Sequence, residues 1–449
     1  MTTTTFTTDV ISDGHDPVFA FAADGDGLVV GAGVTLSSQG VSAVDGRGAQ
    51  GLFGLTATIG GTLSAPRWAA LDAFGSSIDV TVEAGGRVES TGAMTIEASF
   101  DSSLENHGTL FARYGFGVVM ADATVASVEN WGSIFGEVGA VEFVTGAAAS
   151  SGSVVNHGRL EAGGGVNDRV GGAGSNQAVY SNLDTTTVVN DGTIIAADKS
   201  GAGVSLIGDS GTIDNDGTIQ STRYWGVLAS GTTALDITNT GTIAGGKGAV
   251  LLASAADTVT NDGLMQGRVS LGGGDDVYHG EHGRVAGAVW GLGGNDLLVG
   301  GAEADVLGGG GGSDTLTGGA GADTLTGAGG ADVIGGGTGD DVFRFASAGD
   351  AAGDRIVATE GAVAFAGAGT AGGDRIDLSA IDAMIETSGH QHFSFGTTQG
   401  IGDLWAVDVG NVTHILGNTA GGAAAEFDLA INDGAGVSAS DYAALDFIL

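Results

Sequence analysis

The sequence predicts an all-β fold, a right-handed parallel β-helix followed by a parallel β-roll. Two tandem repeats lead to this prediction, one with a period of 22 to 34 residues before residue 265 and one with a period of nine from Gly291. Composition agrees with them, because 88 glycines against two prolines allow frequent turns. Short Val, Ile and Thr runs between regularly spaced glycine turns are typical of solenoids, in which each repeat forms one coil.

The longer repeat reads apolar, any, Asn, any, Gly, any, apolar. Its asparagines are Asn106, Asn130, Asn156, Asn190, Asn215, Asn239 and Asn261, with degenerate copies that place Ile59 and Ala84 in the Asn position. We expect the flanking apolar residues to point inward and the Asn amides to hydrogen-bond from coil to coil. The longest step holds a Gly-, Asn- and Asp-rich stretch, residues 163–177, that we expect to form a loop outside the coil.

The shorter repeat places an aspartate every nine residues and an apolar residue two positions later. The aspartates are Asp296, Asp305, Asp314, Asp323, Asp332 and Asp341, and the apolar residues are Leu298, Leu307, Leu316, Leu325, Ile334 and Phe343. An outlying copy at 271–279 carries Asp276. Glu303, Leu292 and Ala328 stand where the pattern expects glycine.

Each nine-residue unit combines one carboxylate with glycine carbonyls that can approach a cation closely. Calcium takes six to eight hard oxygen ligands, so two stacked loops together can supply a site. If alternate repeats turn on opposite sides, Asp296, Asp314 and Asp332 line one edge and the other three the opposite edge. Residues 285–343 contain eight acidic residues and no Lys or Arg, so we expect this stretch to need calcium to fold. The candidate metal-site residues are Asp276, Gly294, Asp296, Asp305, Gly310, Gly312, Asp314, Gly319, Gly321, Asp323, Gly330, Asp332, Gly337, Gly339 and Asp341.

The chain is strongly acidic and lacks cysteine. Its formal net charge of −39 makes nucleic acid a poor partner and a divalent cation a natural one. Without cysteine there are no disulfides and no zinc–thiolate sites. The N-terminus has neither the basic start nor the apolar run of a cleaved secretory signal.

The nine-residue pattern resembles the RTX (repeats-in-toxin) family, which implies bound calcium. The segment that follows resembles the C-terminal domain of serralysin-type proteases, through Asp354-Arg-Ile356 and the stretch 374–383. The tail 441–449 looks like the uncleaved signal that type I secretion exporters read. The resemblance therefore implies an extracellular or cell-surface protein of a Gram-negative bacterium. No His-Glu-any-any-His zinc motif occurs, so protease activity does not carry over.

These patterns divide the chain into four predicted segments. They are an N-terminal cap (1–50), a parallel β-helix (51–270), a calcium β-roll (271–343) and a C-terminal capping and type I secretion domain (344–449). We expect a structural, self-assembling or adhesive component of the bacterial surface or extracellular matrix. The alternative is an exported lyase or epimerase acting on acidic polysaccharide, since alginate epimerases are similar in layout.

Basic residues recur at matching places in successive coils. Stacking the coils would align Lys199, Arg223, Lys247 and Arg268 into a row that could hold an anionic polysaccharide or an acidic neighbouring copy. The other interpretation is a solvated edge whose basic residues prevent sideways pairing. Arg113-Tyr114 and Arg223-Tyr224 repeat in the same way, and either a catalytic role or a simple edge contact would account for them.

Overall fold

The structure is a computed structural model that falls into two compact units, Met1–Ala253 and Ser254–Leu449. The division lies inside the segment predicted as β-helix, and the N–H of Asp257 in the second unit already donates to the Asp276 carboxylate, a bond of the roll described below. The residues that the structure describes are 2–12, 16–39, 41–45, 52–92, 94–122, 124–144, 150–163, 176–197, 201–231, 233–359, 361–370, 372–384, 390–396, 398–420, 425–433 and 437–449. Most of the loop predicted at 163–177 lies outside them.

The first unit is a stack of coils, each of which contributes one strand to each of three parallel sheets. The first sheet contains Thr3–Phe6, Gly27–Val30, Leu55–Ile59, Ile78–Val82, Ser102–Asn106, Val125–Asn130, Ser151–Asn156, Thr185–Asn190, Ser210–Asn215 and Ala234–Asn239. The second contains Val10–Ser12, Thr35–Ser38, Thr62–Ala65, Arg87–Ser90, Thr109–Ala112, Ser133–Gly136, Arg159–Ala162, Thr193–Ala196, Thr218–Ser221 and Thr242–Gly245. The third contains Phe19–Ala20, Val44–Asp45, Leu71–Ala73, Met94–Ser99, Phe116–Ala121, Gly139–Val144, Val179–Ser181, Val204–Leu206, Trp225–Ala229 and Gly248–Leu251.

The segment predicted as an N-terminal cap contributes strands to these same sheets. Thr3–Phe6 pairs in parallel with Gly27–Val30, which in turn pairs with the strand that ends at Ile59. The alternation of buried and exposed residues in Leu55–Ile59 continues in later coils, which is the period-two pattern of a half-buried strand.

The predicted asparagine ladder is present. The Asn106 amide nitrogen donates to Asn130 Oδ1 at 2.7 Å, and equivalent bonds of 2.7–2.8 Å continue through Asn156 and Asn190 to Asn239. These amides are fully buried beside apolar residues such as Leu104 and Val128. A buried amide is costly unless its hydrogen bonds are satisfied, and the ladder supplies a partner in the next coil.

One position in the sequence alignment of the coils was wrong. Val82, not Ala84, lies in register with Asn106 and with Ile59. Two additional residues follow Val82 in its turn, where Gly85 has a positive φ of 88° and the Gly86 N–H donates to Glu83 O. Inserted turn residues shift the spacing in sequence but leave the strand register unchanged.

The second unit begins as a roll of two facing parallel sheets. One contains Thr258–Asn261, Val277–His279, Leu297–Val299, Thr315–Ala320, Val333–Thr338 and Arg355–Ile356. The other contains Val269–Gly273, Val289–Gly293, Val306–Gly311, Thr324–Gly329, Val342–Arg344, Arg375–Asp377 and Phe447–Ile448. A short third pair joins Leu264–Gln266 and Arg284–Val285.

The C-terminal part closes onto the end of the roll. Phe427–Ile431 pairs with Arg355–Ile356 and begins an antiparallel set with Val412–Gly417 and Asp403–Val409, the last of which pairs with Ser394–Phe395. Two 3-10 helices are described, Ala348–Ala351 and Ala444–Asp446. The tail predicted as an export signal ends in the strand Phe447–Ile448, which lies beside Ile376 and Asp377.

Candidate calcium sites

The nine-residue repeats form alternating loops and strands whose apolar residues fill the interior of the roll. Each aspartate ends a loop, and the residue two positions later is at most 1 % exposed. Except for Gly301, the glycines at the second and fourth loop positions have positive φ, for example 118° at Gly310 and 133° at Gly312. Glycine adopts this conformation without a steric cost, so the loops can turn tightly with their carbonyls close together.

Alternate aspartates stack along the two edges as predicted. The Asp296 N–H donates to Asp314 Oδ1 at 2.8 Å, and the Asp314 N–H donates to Asp332 Oδ1 at 2.8 Å. On the opposite edge, the N–H groups of Asp305 and Asp323 donate to the carboxylates of Asp323 and Asp341 at 2.8 and 2.9 Å. We refer to these two rows as the first and the second aspartate ladder.

Both ladders extend past the nine-residue repeats. The first begins with Asp257, whose N–H donates to Asp276 Oδ1 at 2.8 Å, and it continues from Asp276 to Asp296 at 2.9 Å. The first ladder ends at Asp354 and the second at Asp374, which accept from Asp332 N–H at 2.7 Å and Asp341 N–H at 2.9 Å.

Three of these ladder residues are not among the predicted metal-site residues: Asp257, Asp354 and Asp374. A shorter signal would have found them, because each is followed two residues later by a buried apolar residue, as in the repeats. These residues are Val259, Ile356 and Ile376, and all three are fully buried. The glycine pattern that defines the repeat is absent around them, so the nine-residue repeat does not predict these three aspartates.

In most ladder aspartates one of the two carboxylate oxygens has no hydrogen-bond partner. While Oδ1 accepts the bond along the ladder, Oδ2 is buried and has no hydrogen-bond partner in Asp276, Asp296, Asp314, Asp323, Asp332, Asp341 and Asp354. The oxygen is directed at a glycine in its own loop: a Cβ at Gly309 would lie 2.1 Å from Asp314 Oδ2. A buried anionic oxygen without a partner is costly and needs a cation or a proton.

Burial disfavours the charged form of these carboxylates. It raises the pKa of Asp276 and Asp323 from 3.8 to about 7 and the pKa of Asp314 to about 6. Neighbouring ladder carboxylates add to this increase, whereas the hydrogen bond from the backbone opposes it. A bound divalent cation would reverse the balance, because opposite charge favours the ionised carboxylate.

The available donors are hard oxygens. Over the described residues no group of three or more His, Cys, Asp or Glu side chains converges on one point, so the ladder carboxylates must be supplemented by backbone carbonyls. The loops stack closely enough for this: a Cβ at Gly330 would lie 1.7 Å from Gly312 O, and one at Gly312 would lie 1.9 Å from Gly294 O. Carboxylate and carbonyl oxygens without nitrogen or sulfur suit calcium, and the residues present therefore fit that ion.

Asp305, at the start of the second ladder, differs from the other repeat aspartates. Its Oδ2 accepts a hydrogen bond from Gly301 N–H at 2.7 Å, so its second oxygen is already satisfied. Glu303, which replaces the fourth glycine of this loop, pairs with Arg284 at 2.9 Å. At the other substituted positions, Leu292 and Ala328 have positive φ values of 83° and 73°, which costs on the order of 1 kcal/mol for a residue with a Cβ.

The predicted basic row is described only in part. Arg223 and Lys247 lie exposed on neighbouring coils of the first unit, and Lys247 Nζ lies 4.1 Å from the centre of the Tyr224 ring. Arg113 lies 5.4 Å from the ring of Tyr114 in the same manner. Lys199 lies outside the described residues, and Arg268, exposed, belongs to the second unit.

The fold and these sites define a class: an all-β solenoid protein with a parallel roll whose edges carry stacked carboxylates. Comparison with protein families identifies the repeats, because residues 289–307 and 308–343 match the RTX calcium-binding nonapeptide repeat, in four copies. Residues 289–343 are therefore RTX repeats, and calcium is the ion that they bind. Comparison with curated proteins gives no match. In the part of the chain that the structure describes, no helix is long and apolar enough to cross a membrane.

Proposed function

We propose that this chain is a secreted calcium-binding β-solenoid protein whose roll folds when calcium occupies the aspartate ladders. The observation that carries the proposal is the set of buried Oδ2 atoms without partners along both edges. Cytosolic calcium is too scarce to fill sites of the affinity that extracellular modules use, about 10⁻⁴ to 10⁻³ M. The chain would therefore leave the cell unfolded and fold outside it.

The C-terminal tail supports export through a type I secretion apparatus of a Gram-negative bacterium. RTX repeat proteins are typically secreted, and residues 441–449 have the acidic and apolar character of such a signal. In the folded chain Asp446 is buried and accepts a bond from Gly369 N–H at 2.9 Å, while Tyr442 donates to Asp433 at 2.9 Å. Because Tyr442, Asp446 and Phe447 are buried on folding, the exporter would read this tail while the chain is unfolded.

A structural or adhesive role at the cell surface or in the matrix fits the first unit best. Its coils repeat one hydrogen-bonded cross-section, with a buried Asn ladder from Asn106 to Asn239 and little variation in strand length within the first two sheets. Solenoid ends expose unpaired strand edges, which favours self-association. The net charge of −39 opposes association without cations, so calcium would control assembly as well as folding.

Electron microscopy and light scattering on the full chain, before and after addition of about a millimolar of calcium, test this role. Ordered filaments or sheets that form with calcium, and disappear with a chelator, are the expected result. Folded particles that remain monodisperse would contradict self-assembly while leaving calcium binding intact. An absence of calcium-dependent change in far-UV circular dichroism would contradict the calcium-driven folding itself.

A basic edge on the first unit supports binding of acidic polysaccharide as a second property. Arg223 and Lys247 are exposed on neighbouring coils beside Tyr224, which combines positive charge with an aromatic ring. Retention of the full chain on an immobilised acidic polysaccharide should fall when Arg223 and Lys247 are both changed to Gln. The matched control is Arg159→Gln, which removes a basic residue already paired with Glu161 at 2.8 Å.

A polysaccharide-modifying enzyme remains the second candidate function, favoured by one pair in the third sheet of the first unit. Glu142 and Tyr180 are adjacent across neighbouring parallel strands, and burial raises the Glu142 pKa from 4.5 to about 7. Burial and the Glu142 carboxylate together raise the pKa of Tyr180. A carboxyl group that titrates near neutral pH beside a phenol is suited to general acid–base catalysis.

Activity on acidic polysaccharides such as alginate, followed by release of unsaturated or epimerised uronate, tests this candidate. Glu142→Gln and Tyr180→Phe should each abolish turnover, whereas the exposed Glu105→Gln should not. Turnover that survives both changes would rule this pair out as the catalytic group, and no turnover by the unchanged chain would favour the structural role.

A further inference from the structure

The first aspartate ladder ends outside the segment that matches the RTX repeat. Asp354 lies beyond residue 343, in a loop without the glycine pattern of the repeat. The step from Asp332 to Asp354 is 22 residues, compared with 18 between Asp314 and Asp332. The longer loop includes the 3-10 helix Ala348–Ala351, and it still returns Asp354 to the register of the ladder.

Asp354 resembles Asp314 and Asp332 in its burial and in its hydrogen bonding. Its side chain is 1 % exposed, its Oδ1 accepts the Asp332 N–H at 2.7 Å, and its Oδ2 has no hydrogen-bond partner. The carboxylates of Asp332 and Asp350 add negative charge around it. Asp350 itself has no carboxylate oxygen without a partner. Its Oδ2 accepts hydrogen bonds from Ala346 N–H and Ser347 N–H, and its Oδ1 accepts one from the Ser347 hydroxyl.

Asp374, at the end of the second ladder, provides the contrast. It is also followed by Arg-Ile, and its Oδ1 also accepts from a ladder N–H, that of Asp341 at 2.9 Å. However, its Oδ2 accepts a second hydrogen bond, from Ala366 N–H at 2.6 Å. Both of its oxygens therefore have hydrogen-bond partners within the protein.

We propose that Asp354 is a calcium ligand and that the first ladder holds one calcium position more than the matched repeats imply, between the loops that end in Asp332 and Asp354. The donors are the Oδ2 atoms of these two aspartates, supplemented by loop carbonyls, which are the hard oxygens that calcium selects. Asp374 is a terminating residue that binds no ion. This inference rests on the proposed calcium binding of the ladders and adds to it a position outside the repeat motif.

Equilibrium dialysis of the full chain against calcium chloride counts the bound ions in four proteins: the unchanged chain, Asp354→Asn, Asp374→Asn and Asp314→Asn. An Asn side chain keeps the Oδ1 acceptor of the ladder but replaces Oδ2 by an NH₂ group that cannot bind a cation. We expect Asp354→Asn to bind about one calcium ion fewer, Asp374→Asn to bind the same number as the unchanged chain, and Asp314→Asn to lose at least about one ion.

The outcomes separate this inference from the proposed function. If the unchanged chain binds no calcium, the proposed function fails and the inference fails with it. If Asp314→Asn loses calcium but Asp354→Asn does not, only the inference is overturned. Loss from Asp374→Asn in place of Asp354→Asn would overturn it as well.

Anomalous diffraction from crystals of the unchanged chain grown with calcium gives a second measurement that needs no variant to fold. The expected result is a calcium peak about 2.3–2.6 Å from Asp354 Oδ2. Peaks confined to the loops that end at Asp341 and earlier aspartates would overturn the proposal.

Discussion

The ladder predicts that Asp314→Asn destabilises the calcium-loaded roll by several kcal/mol while leaving its hydrogen bonds in place. Asp314 lies in the middle of the first ladder, where its Oδ1 accepts the Asp296 N–H and its own N–H donates to Asp332. The Asn amide oxygen can accept the same bond, so the substitution removes only the oxygen that faces the Gly309 loop. Any large effect on stability therefore reports a lost cation ligand.

The magnitude follows from calcium linkage. A site with a dissociation constant of about 10⁻⁴ M stabilises the folded state by about 2.7 kcal/mol at about 10 mM calcium. Asp314 borders two intervals of the ladder, so the expected loss lies between about 3 and 5 kcal/mol. Without calcium the sign reverses, because Asn removes a buried carboxylate whose pKa is raised from 3.8 to about 6.

Urea unfolding of the full chain in about 10 mM calcium chloride, followed by far-UV circular dichroism, measures the effect. Asp340→Asn is the matched control: it removes the same charge from an exposed position next to the second ladder, and we expect a change of less than about 0.5 kcal/mol. If Asp314→Asn and Asp340→Asn have the same transition midpoint in calcium, the reasoning from the open Oδ2 is refuted.

Three further predictions concern pH and packing. In a chelator, the chain should gain β-structure as the pH falls from about 8 to 5. In the metal-free folded state the Asp323 carboxyl has a pKa of about 7, so its protonation contributes fully to stability below about pH 4, and the contribution is lost as the pH rises through 7. A circular dichroism spectrum that does not change with pH would contradict this prediction. Ala328→Gly should stabilise the calcium-loaded roll by about 1 kcal/mol, because it removes a Cβ from a residue with positive φ. The control Ala322→Gly, at a residue whose φ is not positive, should destabilise the roll by about 0.5–1 kcal/mol. Equal urea midpoints for the two variants would argue against backbone strain at Ala328. Asn215→Ala should destabilise the first unit by about 2–3 kcal/mol in thermal unfolding, because it removes the Oδ1 that the buried Asn190 amide donates to at 2.7 Å and leaves that amide only longer contacts. A change below about 0.5 kcal/mol would mean that the ladder contributes little to stability.

The solenoid architecture could be derived from the sequence because its signals are local and repeated. Leu104 and Leu110, which flank Asn106 and the turn at Gly108, encode one coil, and each later copy encodes the same cross-section. A parallel stack of identical coils is the arrangement that buries all copies together. The all-β fold and the RTX repeats are confirmed, and the two-edge arrangement of the repeat aspartates follows from a spacing of nine.

Register across loops of unequal length could not be read in the same way. The step from Asp332 to Asp354 and the step from Asp341 to Asp374 differ from each other and from 18, yet both return an aspartate to its ladder. For the same reason, the two extra turn residues after Val82 led to the wrong prediction that Ala84 occupies the Asn position. A pairing of strands constrains the neighbours in space, whereas the length of the loop between them is nearly free.

The sequence by itself determined the parallel solenoid, the positions of the repeat aspartates and the kind of ion that they bind. Only the tertiary structure decided which carboxylate oxygens remain open. Asp305 belongs to the repeat and has its Oδ2 satisfied by Gly301, whereas Asp354 lies outside the repeat and has an unpaired Oδ2. The physical reason is that a carboxylate becomes available to a cation when the backbone N–H groups around it point elsewhere, and their directions are set by the folded loops on either side.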